Sequence, residues 1–142
     1  MGKLNQAIVA LVEHEGKVLV GKKEKTLGHP LSEAWHIPGG SLKGCESDVE
    51  GLTREIWEEA GIKIRVKEFL GKVHVAETKT IAKWYLCEPL THDLKYGDDL
   101  TDVKYVERSA VPSICSAKGV SLWPPKVLEY FKLQPQEAEA EF

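Results

Sequence analysis

Residues 40–62 read GSLKGCESDVEGLTREIWEEAGI and carry the clearest structural information in the sequence. The second part of this stretch, from Ser47 to Ala60, is predicted to form a helix. Ser47 stands three residues before Glu50, which is the spacing of a capping box, and Gly61 is a residue type that commonly ends a helix. On a helical wheel, four apolar residues share one narrow arc, which we expect to face the core: Val49, Leu52, Ile56 and Ala60.

Three glutamates in this helix break the local rules of helix stability. Glu55, Glu58 and Glu59 share one face, where each like-charge pair costs a few tenths of a kcal/mol. The last two also lie near the helix C-terminus, where the helix dipole disfavours anions. A divalent cation would resolve the conflict, because carboxylates on one rigid face are oxygen ligands suited to Mg²⁺ or Mn²⁺. From these residues alone, a solvated acidic face is the alternative.

The spacing across the whole stretch resembles the signature of the Nudix hydrolase family. It follows the pattern Gly-x5-Glu-x7-Arg-Glu-apolar-x-Glu-Glu-x-Gly-apolar from Gly40 to Ile62, about one-sixth of the chain, and is complete at every specified position. The positions are Gly40, Glu46, Arg54, Glu55, Ile56, Glu58, Glu59, Gly61 and Ile62. The resemblance implies an α+β fold, a Nudix-type α/β/α sandwich with a mixed β-sheet, in which this stretch forms a catalytic loop–helix–loop.

The resemblance also implies roles for individual residues. Carried over by position, the catalytic set would be Glu55, Glu58, Glu59, Arg54 and Glu46, with the first three facing the metal. A turn at Gly39–Gly40 would bring the backbone carbonyl of Gly40 to the metal, which requires a chain free of side chains. Arg54 would hold a glutamate in place through a charge-assisted pair, with Glu46 as its second partner.

The activity implied by the family is hydrolysis of a nucleoside diphosphate linked to another moiety, with Mg²⁺ or Mn²⁺ as cofactor. Metal ions cancel phosphate charge and activate water, and a carboxylate takes the proton. Either Glu55 or Glu59 could be that base. In some relatives the base comes from a loop outside the signature, and the acidic stretch 98–102 makes Asp99 our candidate, with Glu107 and Glu77 as further possibilities.

Contacts to the substrate are predicted from residue type and position. Lys22, Lys23 and Lys25 follow a predicted strand and could meet phosphates, although a solvated sheet edge explains them equally well. His36 precedes the two glycines and could contact the substrate. Aromatic rings that could stack on a base, or simply belong to the core, are Trp35, Trp84, Tyr85 and Trp123. Of these rings we select Trp84 as the candidate contact.

The substrate class is predicted only by what is missing. The proline and tyrosine markers of ADP-ribose-type and dinucleoside-polyphosphate relatives are absent from the region of residues 77–80. We therefore expect a (deoxy)nucleoside triphosphate as substrate, as in small MutT-like members, with the other two classes as alternatives. A non-catalytic nucleotide-binding module is the alternative of another class, but such members usually lose signature glutamates. A prenyl-diphosphate isomerase of the same fold is less compatible with an intact signature.

Around this stretch the sequence predicts strands and one further helix. Residues 7–12 and 18–20 are apolar and β-branched, and Gly16 between them suits a hairpin turn. Further strands are expected near 62–67, 73–76, 81–87 and 103–106. A helix is expected over 124–133, entered through proline. We expect one domain over 1–133 and a frayed acidic tail over 134–142.

Composition narrows the class of protein further. A length of 142 residues suits one domain, and a net charge of −3 excludes a basic nucleic-acid binder that works by bulk charge. No apolar run is long enough to cross a membrane. Three widely spaced cysteines form no disulfide framework, so we expect a reducing, cytoplasmic setting. The expected partner is a small nucleotide, with no nucleic-acid polymer and no membrane, and a homodimer is possible because dimers are common in the family.

Overall fold

The structure is a computed structural model, and it describes residues 4–24 and 34–133. Two expectations lie outside these residues: a phosphate contact from Lys25 and the acidic tail over 134–142. The described residues contain seven strands, and they are β1 (Asn5–His14), β2 (Lys17–Lys23), β3 (Trp35–His36), β4 (Gly39–Ser41), β5 (Ile64–Val75), β6 (Thr80–Pro89) and β7 (Leu100–Glu107).

The strands form a mixed sheet centred on β1. Strand β1 runs parallel to β6 from Asn5 to Val12, and β5 lies antiparallel on the far side of β6. On its other edge β1 pairs antiparallel with β4 in its first half and with β2 only at its end. Strand β2 diverges from β1 and pairs with β3 and β7. The predicted hairpin is confirmed, with Gly16 in the left-handed region at φ 79°.

Both faces of β1 are buried, which explains its continuous apolar run. Alternate residues of a strand point to opposite faces, so Ile8, Ala10 and Val12 join one core cluster and Leu11 joins the other. The first cluster includes residues of helix α1 (Asp48–Ala60). The second includes residues of α2 (Val111–Ile114) and α4 (Pro125–Tyr130), with α3 (Ala117–Ser121) between them in the chain. The expected α/β/α arrangement with a mixed sheet is therefore confirmed.

The structure corrects several boundaries. The two strands expected near 62–67 and 73–76 are one strand, β5, which follows its partner β6 through two bulges and turns sharply at Gly71, φ 123°. The second predicted helix is shorter than expected, Pro125–Tyr130. Helices α2 and α3 were not predicted, because each is at most five residues long and shows no helical period.

Two findings bear on the setting of the protein. Within residues 4–24 and 34–133, no helix has the length and apolar character needed to span a bilayer. Cys45, Cys87 and Cys115 are all free thiols, with Cys45 exposed and the other two buried.

Candidate active site

Helix α1 presents two glutamates to the interior. Ser47 caps the helix in a complete capping box with Glu50, and Gly61 ends it in the left-handed conformation, as the sequence predicts. Glu55 and Glu59 are only 6% and 4% exposed. The expectation that Val49 faces the core is wrong, since its side chain is 51% exposed. The buried face of α1 is rotated away from Val49 toward the glutamates, so carboxylates and apolar residues share it.

Arg54 organises the acidic residues around it. Its Nε and Nη2 donate to the two carboxylate oxygens of Glu46 at 2.6 and 2.9 Å. Its Nη1 donates to Glu55 at 3.0 Å and to Glu58 at 3.1 Å, and Nη2 also reaches the carbonyl oxygen of Ser41 at 3.0 Å. A guanidinium has five N–H donors, so every donor of Arg54 has an acceptor. The expected positioning role, with Glu46 as second partner, agrees with this geometry.

Glu46 is held ionised by the same network. The hydrogen bond from Arg54, with a second from the backbone N–H of Lys43, lowers the pKa of Glu46 to about 2. The pKa of the Arg54 guanidinium is raised in turn, first by its bond to Glu46. The pair thus stays charged across the physiological range and fixes the turn that leads into α1.

The two glycines before the helix lie in a strand. The predicted turn at Gly39–Gly40 is wrong: both residues belong to β4 and pair with Val9 and Ile8 of β1. A Cβ on Gly40 would overlap the carboxylate of Glu55, so glycine is required there to leave room for a side chain of the site. Gly40 lines the acidic cleft, and a metal contact from its carbonyl oxygen stays a prediction.

A loop outside the helix adds a further carboxylate. The backbone N–H groups of Lys95 and Gly97 donate to the last carbonyls of α1, at 2.9 and 3.2 Å. A Cβ on Gly97 would lie 2.5 Å from the carbonyl oxygen of Glu58, so the loop packs this closely only because residue 97 is glycine. Asp98 follows in the left-handed region, φ 56°, and oxygens of Asp98, Glu55 and Glu59 all lie within 4.8 Å of one another.

The electrostatics of this cluster favour the binding of a cation. The pKa of Glu59 is raised to about 9, first by burial and then by the nearby charges of Glu55, Asp99 and Asp98. The hydrogen bond from the Gly39 N–H opposes this shift. Burial also raises the pKa of Glu55, although Arg54 opposes the shift. The Oε1 atom of Glu59 is buried without a hydrogen-bond partner among the described residues. Oxygen ligands, an orphaned buried oxygen and mutual repulsion all fit a hard divalent cation.

The cluster lies in a cleft of about 540 Å³ that also collects predicted substrate contacts. Lys23 lines it and forms an ion pair with Asp99, the loop residue proposed from sequence as a base. Lys43, which was not predicted, and His36 line it as well. Lys22 is not among the described residues that line the cleft, since it is the neighbour of Lys23 on the same strand and alternate residues point apart.

An apolar pocket of about 410 Å³ adjoins the cleft and shares with it Val9, His36 and Ile37. Its walls include three of the predicted aromatic rings, Trp35, Trp84 and Trp123. Trp84 and Trp123 are mostly buried and in edge contact, at 6.1 Å between centroids. They therefore belong to the core and also line the pocket, and stacking of Trp84 on a base stays a prediction.

The remaining candidates lie elsewhere. Tyr85 is not in the apolar pocket; its hydroxyl donates to Asp48. Glu77 lines the apolar pocket and not the acidic cleft. Glu107 lies at the end of β7, opposite Lys17 in the backbone pairing of β7 with β2. Sequence reasoning missed Asp98, although the adjacent Gly97 was a signal that this part of the loop packs closely against another segment.

A fold and site of this kind define a Nudix hydrolase, and the comparisons with known proteins agree. The family model of the NUDIX domain matches residues 3–131, so the chain belongs to this family. It is 25% identical over 112 residues to an ADP-ribose pyrophosphatase of Methanocaldococcus jannaschii, covering 76% of this chain and 64% of that protein. It is 37% identical over 82 residues to the phosphatase NudJ of Escherichia coli, covering 56% of this chain and 50% of that protein.

Solved structures show the same fold. The MutT NUDIX hydrolase from Burkholderia pseudomallei superposes with a TM-score of 0.71 at 20% identity, over 84% of this chain and 95% of that one. A MutT protein from Methanosarcina mazei superposes with a TM-score of 0.66 at 22% identity, over 89% of each chain. The chain spans between half and just under two thirds of the length of the two curated relatives named above.

Replacing Arg54 with lysine should damage both the site and the fold. Lysine keeps the charge but cannot meet five acceptors in a plane, so Glu55 and Glu46 would lose directed bonds. We expect a free energy of unfolding lower by about 1–3 kcal/mol and, since Glu55 is no longer held in place, turnover reduced by about 100-fold. Chemical denaturation and initial rates measure the two effects. Arg65→Lys, at an exposed ion pair with Glu88, is the matched control. Equal, small effects of both variants would contradict the positioning role.

Proposed function

We propose that this Nudix hydrolase binds Mg²⁺ or Mn²⁺ and hydrolyses a diphosphate bond of a nucleotide, with a nucleoside triphosphate as its substrate. The observation that carries the proposal is the oxygen-only cluster of Glu55, Glu59 and Asp98 in a cleft that opens beside an apolar pocket. Nudix hydrolases generally use divalent metal ions, and this cluster supports the same use here.

The proposed metal ligands are Glu55, Glu58 and Glu59 of α1, with the Gly40 carbonyl as a backbone ligand. Bound there, the ion would offset the charge of the diphosphate and lower the pKa of the attacking water. Arg54 holds Glu55 and Glu58 in position on the same face. Lys23 and Lys43 add positive charge at the cleft wall, where phosphate oxygens would lie.

We assign the general base to the loop carboxylate Asp98. It is the exposed member of the cluster, whereas Glu55 and Glu59 are buried, so it can pass the proton on to solvent. Asp99 is the less suitable base because its carboxylate is already engaged by Lys23. A base in contact with both the cluster and bulk water can be regenerated after each turnover.

Asp98→Asn should reduce kcat by about 100-fold or more, because the amide keeps the shape but cannot accept the proton. Asp99→Asn is the matched control, since it removes the adjacent charge and leaves Asp98 intact. We expect it to change KM by a few-fold through Lys23. Steady-state rates of the two purified variants distinguish Asp98 from Asp99 as the general base. A larger loss of kcat in Asp99→Asn than in Asp98→Asn would assign the general base to Asp99.

The apolar pocket supports a substrate with one aromatic base. Three indole rings beside the acidic cleft suit a planar, weakly polar group joined to a diphosphate. ADP-ribose or a dinucleoside polyphosphate is the alternative, and one relative carries the name ADP-ribose pyrophosphatase. A non-catalytic nucleotide-binding module is disfavoured because all three signature glutamates are present and grouped at one cleft.

The test is turnover with Mg²⁺ of dGTP, 8-oxo-dGTP, ADP-ribose and diadenosine tetraphosphate, followed by phosphate or pyrophosphate release. We expect triphosphates to be hydrolysed, and isothermal titration to detect Mg²⁺ or Mn²⁺ uptake. Hydrolysis of ADP-ribose alone would overturn the substrate assignment. No turnover of any compound, with no metal uptake and no change in melting on adding metal and nucleotide, would overturn the function itself.

We further propose that the enzyme works in a reducing, cytoplasmic setting on small nucleotides. Three free cysteines and a net charge of −3 support this. Neither feature favours a nucleic-acid polymer or an oxidising compartment.

A further inference from the structure

One ion pair lies at the rim of the mainly apolar pocket. Glu77 lies in the short turn after β5, and Lys118 lies in α3; both line the pocket. The Lys118 Nζ lies 2.7 Å from one carboxylate oxygen of Glu77 and 2.8 Å from the other. The two side chains are 67% and 48% exposed, so they form the solvent-facing edge of the pocket.

The position of this pair matters more than its strength. An exposed ion pair contributes 1 kcal/mol or less to folding. Arg65 and Glu88 make a comparable pair between β5 and β6, but neither residue lines the pocket. Stability alone therefore does not explain why Glu77 and Lys118 meet where the apolar walls end.

Both partners are attached to ordered backbone. Ser116 caps α3 by accepting the Gly119 N–H at 3.0 Å, which fixes the turn that carries Lys118. The turn that carries Glu77 is tied to β1, because the Asn5 side chain donates to the Thr78 carbonyl and the Asn5 N–H donates to the Lys79 carbonyl at 2.8 Å. The backbone positions of both residues are thus fixed by hydrogen bonds, which keeps the two side chains within reach of each other.

The pair keeps hydrogen-bonding capacity after it forms. Lys118 donates one hydrogen bond to Oε2 of Glu77, and an ammonium has three donors. A carboxylate has two oxygens with two lone pairs each, so Glu77 keeps acceptor capacity as well. The rim therefore offers a donor beside an acceptor. The pairing edges of nucleobases carry the matching arrangement, an acceptor beside a donor.

The distance to the acidic cleft suits a nucleotide. Val9 lines both the cleft and the pocket, whereas Asn5, four residues earlier on β1, contacts the turn that holds Glu77. Four residues of a strand span about 13 Å. A nucleotide whose phosphates lie in the cleft would direct its base through the apolar pocket toward this rim.

We propose that Glu77 and Lys118 together read the pairing edge of the nucleobase and set the base preference of the enzyme. The inference rests on the proposed function. It makes the two residues specificity-determining residues that touch the base, distant from the carboxylates where the diphosphate bond breaks. Their contribution should therefore be found in KM and in the ranking of substrates.

The test compares kcat and KM for ATP, GTP, CTP and UTP in four proteins. The wild type should show at least a tenfold spread of kcat/KM across the four bases. Glu77→Met/Lys118→Met removes both polar groups at similar side-chain length and should reduce the spread of kcat/KM to about threefold. The difference from the wild type should arise from KM. Glu77→Lys/Lys118→Glu keeps an ion pair but exchanges donor and acceptor, and should change the ranking of the bases.

Arg65→Met/Glu88→Gln is the matched control and should keep the wild-type spread and ranking. Wild-type spread and ranking in both pocket variants would overturn the inference, as would a wild type with no base preference. A wild type that hydrolyses none of the four would instead overturn the assignment of a nucleoside triphosphate as the substrate. Circular dichroism of each variant verifies the fold, and the charge-exchanged variant answers the question if the double methionine variant fails to fold.

Discussion

Glu59→Gln is expected to reduce turnover by about 100- to 1,000-fold while the protein remains folded and becomes more stable without metal. Glutamine has the same shape but cannot serve as an anionic ligand, so the proposed metal loses a carboxylate at the most buried position of the cleft. The same change removes a carboxyl group whose buried Oε1 has no hydrogen-bond partner within residues 4–24 and 34–133. Loss of function and gain of stability therefore have one physical cause.

The gain in stability should depend on pH in a defined direction. The ordinary pKa of the glutamate is 4.5, and burial raises the pKa of Glu59 in the folded protein to about 9. Between these values the unfolded chain gives up its proton while the folded protein keeps it. The free energy of unfolding of the metal-free wild type therefore falls as pH rises from about 4.5 to about 9. Glu59→Gln lacks this slope, so its advantage grows across that window.

Denaturation in EDTA at several pH values measures the slope, and kinetics with Mg²⁺ measure the loss of turnover. Glu68→Gln is the matched control, because Glu68 is exposed on β5 and does not line the cleft. We expect Glu68→Gln to change neither the pH dependence of stability nor the turnover. Unfolding of Glu59→Gln, or a stability difference that shrinks as pH rises, would show that the carboxylate has a structural role and would contradict the metal site.

The parts of the site that were predictable are those set by local sequence. The capping box at Ser47, the stop at Gly61 and the shared face of the glutamates depend on spacings of three and four residues within one helix. A helix fixes such neighbours wherever it lies in the fold. The burial of Glu55 and Glu59 was harder to predict from the sequence. An apolar arc predicts which side of the helix faces the core but not how far the buried face extends around it.

The parts that were not predictable depend on contacts between distant segments. Whether Asp98 or Asp99 enters the cluster is decided by how the loop attaches to the end of α1 through Gly97, 38 positions after Glu59. The strand at 39–41 exists because β1 supplies its partner, and its own three residues carry no strand pattern. The long strand β5 likewise follows β6 through two bulges that break the alternation.

The two neighbouring glycines of β4 should respond in opposite ways to the same substitution. A Cβ on Gly39 would overlap the carbonyl oxygen of Ile8 and lie 2.8 Å from the Cα of Val9, so it meets only the backbone of β1. Backbone in the centre of a sheet cannot move aside, and we expect Gly39→Ala to lower the free energy of unfolding by about 3 kcal/mol or more. A Cβ on Gly40 would overlap only the Glu55 carboxylate, the end of a flexible side chain.

Gly40→Ala should therefore cost about 1.5 kcal/mol or less in stability, because Glu55 can rotate away. Rotation takes Glu55 out of the cluster with Glu59 and Asp98, so turnover should fall by about 100-fold and metal uptake should weaken. Thermal denaturation, calorimetric titration with Mn²⁺ and initial rates separate the two variants. An active Gly40→Ala enzyme with normal metal uptake would show that Glu55 acts from another position. A stable Gly39→Ala protein would show that β4 and β1 can move apart.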